Sequence, residues 1–91
     1  MTPDRKMTRS ELVRAIRLNL AAEQEAIHLY QAHADATDNE LAKRVFLDIA
    51  DEEREHVGEF QRLLNILVDD EEELLADGAG DVDEMAEELG E

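Results

Sequence analysis

Glu53 and His56 stand three residues apart, a spacing that brings both side chains to one point on one face of a helix. A carboxylate and an imidazole meeting there can share a proton, form a polar pair, or hold a metal ion. Glu23, on an earlier segment, is the third group with the same potential. Carboxylate-bridged two-metal sites in four-helix bundles take one Glu from each of two helices and a Glu-x-x-His pair from each of the other two. That set needs four Glu and two His. One copy of this chain supplies two Glu and one His, and a second copy across a two-fold axis would complete the set. Oxygen and nitrogen donors without sulfur suit iron or manganese, and also zinc. A competing reading is a solvated acidic face: Asp51, Glu52, Glu55 and Glu59 surround the pair, and Arg54 and Arg62 are near enough in sequence to neutralise part of it.

Such chemistry requires helices to carry the three residues. The single proline is Pro3 and no glycine occurs before Gly58, so nothing between them breaks a helix. Thr8 followed by Glu11 has the spacing of a capping box, in which hydroxyl and carboxylate each satisfy a free backbone N–H; Thr37 and Glu40 repeat it. Helices are therefore expected over 9–36 and 38–68, each some 40 Å long. The short turn Asp35-Ala36-Thr37-Asp38-Asn39 folds them back antiparallel. Apolar residues recur at steps of three and four: Leu12, Ile16, Leu20, Ile27, Tyr30 and Ala34 on the first helix, Ala42, Phe46, Ile49, Phe60, Leu63 and Leu67 on the second. These are seams that pack helices at about 20°. Glu23, Glu53 and His56 fill the missing steps. Burying an unpaired carboxylate costs several kcal/mol, so something must compensate them. No alternating β pattern competes. The expected fold is all-α, with two long antiparallel helices, a short C-terminal helical segment, and a four-helix bundle completed by dimerisation.

Composition points the same way. With 91 residues, the chain makes one small domain. A domain of that size buries only about 60–65% of its unfolded surface, so a monomer is marginal. The absence of cysteine removes disulfides, thiolate metal sites and cysteine nucleophiles. What remains is a metal held by Asp, Glu or His, an oligomer, or both. There is no Trp, and Tyr30, Phe46 and Phe60 are the only aromatics, which leaves no platform for stacking bases. A net charge of −16 repels a phosphate backbone. No apolar run approaches the roughly 20 residues that span a bilayer, and the polar start has no secretory apolar region. A cytoplasmic protein that binds neither nucleic acid nor membrane is expected. The charge is uneven: residues 1–68 hold 13 acids and 9 bases, whereas 69–91 hold 12 acids and no base. The chain thus divides into a helical hairpin over 1–68 and an acidic tail over 69–91.

Other residues have weaker readings. Glu25 and His28 repeat the Glu-x-x-His spacing on a second face of the first helix, beside Leu18, Ala21, Leu29 and Ala32. They fit either a surface or interface pair or a second metal-handling site. Tyr30 reads as a seam ring or as a neighbour of the metals, and His33 as a polar residue near the helix end. In the tail, Leu74, Leu75, Val82, Met85, Ala86 and Leu89 are interrupted by Gly78 and Gly80. Two short amphipathic turns, a disordered tail, or a surface that attracts Fe²⁺ are the readings there.

The combination of Glu23, Tyr30 and Asp51-Glu52-Glu53-Arg54-Glu55-His56 resembles the encapsulated ferritins, a rubrerythrin-related branch of the ferritin-like superfamily. The resemblance covers roughly 10–68. It implies a ferroxidase that oxidises Fe²⁺ to Fe³⁺ at a di-iron centre between two subunits, for iron storage and detoxification. It assigns Glu23, Glu53 and His56 of both subunits to the irons, with manganese, zinc or calcium as substitutes, and places Tyr30 close by. Glu25 becomes a ligand on the path by which iron arrives. The resemblance further implies a homodimer assembling into a decameric ring, with an encapsulin shell protein as partner and the lumen of that nanocompartment as its location.

Two features depart from that pattern. Position 22 is Ala, where the family often has a further acid, which weakens an auxiliary iron site. The tail ends Glu87-Glu88-Leu89-Gly90-Glu91, without the apolar-basic peptide that docks bacterial members to the shell. Some archaeal relatives instead fuse this domain to the shell protein, so free-standing cargo and a domain cut from a fusion both fit. Two other functions fit the same residues. One is rubrerythrin-like peroxide reduction, which without cysteine needs an external reductant. The other is a non-catalytic helical oligomerisation or adaptor module whose acids bind divalent cations incidentally.

Overall fold

The computed structural model describes residues 4–91, and Pro3 lies outside them. Three helices follow one another: α1 over Arg9–Ala36, α2 over Glu40–Leu67 and α3 over Glu71–Leu89. α1 starts where Thr8 and Glu11 place it. The Thr8 hydroxyl accepts the Glu11 N–H at 3.1 Å, and the Glu11 carboxylate accepts the Thr8 N–H at 3.0 Å. Arg5 grips the same carboxylate with two bonds of 2.7 and 2.9 Å and, with the cap, lowers the Glu11 pKa from 4.5 to about 2. A depressed carboxyl stabilises the fold above its unfolded value and stops doing so as pH falls through the folded one. The first turn of α1 should therefore hold at neutral pH and loosen between about pH 4.5 and 2. An NMR titration of the Glu11 carboxyl should have its midpoint near 2, and a midpoint near 4.5 would remove the bidentate pair.

The second helix begins differently from the Thr37–Glu40 expectation. Its cap is Asn39, whose side-chain oxygen accepts the Ala42 N–H at 2.9 Å. Thr37 instead closes α1, and its hydroxyl accepts the Asn39 N–H at 3.2 Å. Asn caps a helix at least as well as Thr. With Asn two residues closer to the apolar seam, the turn shortens to three residues.

α1 and α2 run antiparallel in a fixed register. Arg9 meets the Leu67 carbonyl, Glu23 lies beside Glu53 and His56, and Tyr30 stacks on Phe46 at 6.4 Å. Each step forward along α1 from Arg9 to Glu23 to Tyr30 is matched by an equal step back along α2. The fully packed residues are few: Ile16, Ala34, Ala50 and Leu64. Leu64, not Leu63, is the buried member near the end of α2, and Leu63 is exposed. The seam past Phe46 runs through Ala50, Glu53, Val57, Phe60 and Leu64, leaving His56 at its margin.

The tail forms a single helix of 19 residues with none of them buried, where Gly78 and Gly80 had suggested a break. A helical Gly costs only about 1 kcal/mol relative to Ala. Gly90, at φ +77°, ends α3, and the Glu91 N–H reaches back to the Ala86 carbonyl at 2.8 Å. That positive φ suits Gly in a Schellman-type stop. Nothing lies within 4 Å of a Cβ built at Gly78 or Gly80. Gly78→Ala and Gly80→Ala should each stabilise α3 by about 1 kcal/mol, read as slower amide exchange over Glu71–Leu89. Unchanged or faster exchange would show that α3 needs the flexibility.

Together the helices make a slab of 49 × 46 × 14 Å with a radius of gyration of 17.5 Å. A compact domain of this length would have about 12 Å. A layer one helix thick cannot cover its apolar groups, and Leu18, Leu29, Leu41, Ile66, Leu74 and Val82 are among the exposed ones. Among the described residues, no helix is long and apolar enough to cross a membrane.

Candidate metal centre

The antiparallel register brings Glu23 of α1 against Glu53 and His56 of α2, about midway along the hairpin. One donor atom from each lies within 4.8 Å of the others. His56 Nδ1 is 3.4 Å from Glu53 Oε2 and 3.5 Å from Glu23 Oε2. Strong charge-assisted hydrogen bonds run at about 2.7–2.9 Å, so the three groups face one another without closing. Glu23 Oε2 is buried and has no hydrogen-bond partner. The side chains of Glu23 and Glu53 are only 21% and 20% exposed, whereas His56 is 47% exposed.

Two carboxylates this close repel by about 3–4 kcal/mol at an effective dielectric of about 20. A buried oxygen without a donor adds a desolvation cost of about 1–3 kcal/mol. A cation answers both. Ligands on one ion at about 2.0–2.2 Å stand up to roughly 4.3 Å apart, so small side-chain adjustments would let the three donors share one metal. For the salt-bridged reading, His56 is the one cationic partner at hand among the described residues, at 3.4 and 3.5 Å from the two carboxylates, and the arginines turn elsewhere. Arg54 pairs with Asp51 at 3.5 Å and Arg62 approaches Glu72 at 4.0 Å, both on the surface. Among the described residues, no Lys or Arg lies within salt-bridge distance of Glu23 or Glu53.

The remaining candidates separate from the cluster. Glu25 and His28 are exposed and lie outside it. Tyr30 is half-buried, with its ring on Phe46 at an interplanar angle of 21°, one heptad along α1 from Glu23. His33 is exposed and meets Phe46 edge-on at 5.5 Å. Two contacts had no signal in local spacing. Arg9 donates to the Leu67 carbonyl at 2.6 Å, and Arg17 reaches Glu71 at 2.6 and 3.0 Å. Both join residues more than 50 positions apart.

Comparison with known proteins narrows the assignment. The rubrerythrin family model matches residues 4–88. An encapsulin nanocompartment cargo protein of Myxococcus xanthus, EncC, is 58% identical over 60 residues, covering 66% of this chain and 46% of that protein. A ferritin-like–encapsulin shell fusion protein of Pyrococcus furiosus is 43% identical over 61 residues, covering 67% of this chain and 18% of the fusion. The chain thus spans half or less of the length of these relatives. The crystal structure of the encapsulated ferritin domain from Pyrococcus furiosus superimposes with a TM-score of 0.80 at 36% identity, covering 100% of this chain and 90% of that one. With the match running through all three helices and the paired acidic hairpin at its centre, the chain belongs to the rubrerythrin family, as a ferritin-like domain homologous to encapsulin cargo proteins.

Proposed function

We propose that the chain is a ferroxidase, with Fe²⁺ as substrate and a catalytic site made by Glu23, Glu53 and His56 from each of two copies. The observation that carries this reading is the convergence of the three donors within 4.8 Å around a buried, unpartnered Glu23 oxygen. Iron would supply one-electron redox chemistry. Two Fe²⁺ together give two electrons to dioxygen, which takes up two protons and leaves as hydrogen peroxide, or to hydrogen peroxide, which takes up two protons and leaves as two waters. The iron is released as Fe³⁺. Hard anionic oxygen donors favour the higher charge and so promote oxidation. Glu53 and Glu23 would hold the iron through their carboxylates, and His56 would supply a neutral nitrogen through Nδ1, the atom that faces both of them. Glu25, exposed on another face, is a candidate for the path of incoming iron.

A second copy stacked on the slab would complete the ligand set and cover the exposed apolar groups. The family resemblance extends the dimer to a decameric ring. The cargo protein and the shell fusion among its relatives support residence in the lumen of an encapsulin compartment, where released Fe³⁺ would be stored. The rubrerythrin match favours one further reading, reduction of peroxide with an external electron donor.

The test is metal analysis after anaerobic loading with Fe²⁺, followed by an oxygen-consumption trace. About two irons per dimer and iron-dependent oxygen uptake support a ferroxidase. Turnover with hydrogen peroxide and a reductant, but not with oxygen, favours the peroxidase. Neither iron nor turnover leaves an adaptor module.

A further inference from the structure

α3 contacts the rest of the chain sparsely, yet one ion pair at its base has the geometry of a structural joint. The Arg17 guanidinium on α1 donates two bonds, of 2.6 and 3.0 Å, to the two oxygens of Glu71 in the first turn of α3. This is the bidentate fork that gives an Arg–carboxylate pair directional specificity. The Glu71 side chain is 12% exposed, unlike the solvated surface pairs elsewhere on the molecule. The carboxylate raises the Arg17 pKa, while the guanidinium, with help from the Gln61 amide on α2, lowers that of Glu71. Both groups are therefore charged at neutral pH. Asp70, next in the chain, adds further attraction to Arg17.

A second arginine of α1 supports the same joint. Arg9 donates to the carbonyl of Leu67, the last residue of α2, at 2.6 Å. Carbonyls at a helix C-terminus lack intrahelical donors, and a cation there also complements the helix dipole. Three residues, Val68, Asp69 and Asp70, separate that carbonyl from Glu71. The connector is thus fixed to α1 on both sides, at points about 12 Å apart along the axis of α1. Beyond this joint, the other ion pair that ties α3 to the hairpin among the described residues is the exposed Arg62–Glu72 contact at 4.0 Å, which does little to set the direction of α3. It buries no residue, carries nine acids and no base between Glu71 and Leu89, and presents Leu75, Val82, Met85 and Leu89 to solvent.

We infer that Arg17 and Glu71 form a brace that fixes the angle at which α3 leaves the hairpin, which makes both of them positioning residues for the acidic helix. The brace stands apart from Glu23, Glu53 and His56 and does not depend on the ferroxidase reading. Its effect is geometric: it holds the apolar stripe and the acidic surface of α3 in one direction relative to the slab.

The experiment compares four full-length chains, wild type, Glu71→Gln, Arg17→Ala and the exchange Arg17→Glu/Glu71→Arg, by amide hydrogen exchange and X-ray scattering with metal chelated. Either single change should speed exchange over α3 by about fivefold or more and alter the radius of gyration, while the interiors of α1 and α2 exchange as before. The charge exchange should restore slow exchange and the original scattering. Unchanged α3 exchange in both single variants would overturn the brace. So would a double variant as fast as the singles, because side-chain volume alone would not be rescued by reversing the charges.

Discussion

Replacing Glu53 with Ala should reduce iron-dependent oxygen uptake by roughly a hundredfold or more, to near the buffer rate. Losing a group that only supports a metal ligand typically costs 10–100-fold, and Glu53 is proposed as a ligand itself. The same change leaves Glu23 and His56 in place but removes one of the two anions that make the cluster attractive to a cation. Both the occupancy of the site and the driving force for oxidation should therefore fall. Glu52→Ala is the matched control. It removes one acid from the adjacent, exposed position, and it should keep most of the activity. His56→Ala should sit between them, because it removes a neutral donor whose side chain is 47% exposed. If Glu53→Ala oxidises Fe²⁺ at the wild-type rate, the chemistry is elsewhere. If Glu52→Ala is equally inactive, the acidic face as a whole matters and no specific ligand set is needed. Circular dichroism on each variant separates loss of ligand from loss of helix.

The parts of this arrangement legible in the sequence are those set by local spacing. The Thr8–Glu11 cap spans one turn, and the seams of α1 and α2 repeat every three or four residues, so helices, hairpin and paired acids could all be anticipated. The family resemblance rested on the same short stretch and is matched over residues 4–88. What escaped was set by competition or by distance. Thr37 and Asn39 both can cap, and their order was decided by the turn between two packed helices. The seam on α2 drifts because an α-helix has 3.6 residues per turn and not 3.5, and this carries burial from Leu63 to Leu64 and puts His56 on the margin. Gly78 and Gly80 read as breaks, yet the residues around them sustain one helix. Arg17 and Glu71 are joined across 54 positions, and no periodicity announces such a pair.

The other large effect concerns assembly. If the complete ligand set exists only in the dimer, metal binding and pairing are linked, and each bound ion adds RT ln(1 + [L]/Kd) to the stability of the pair. At a free Fe²⁺ concentration of about 100 Kd, two sites should tighten dimerisation by about 10⁴-fold. Anaerobic sedimentation should show a shift from small species toward the dimer or a larger ring on adding Fe²⁺, reversed by a chelator. Zn²⁺ separates the two roles. It accepts the same oxygen and nitrogen donors but has no redox chemistry, so it should drive assembly and block oxygen uptake. Glu23→Ala should weaken the metal response in assembly and turnover together, since its buried oxygen has no hydrogen-bond partner within the hairpin and the proposed cation would supply one. A monomer that takes up one iron with full affinity and does not associate would break the linkage. So would a dimer whose association constant ignores both metals. Either result would mean that one hairpin suffices for the site and that the exposed apolar groups are covered by something else.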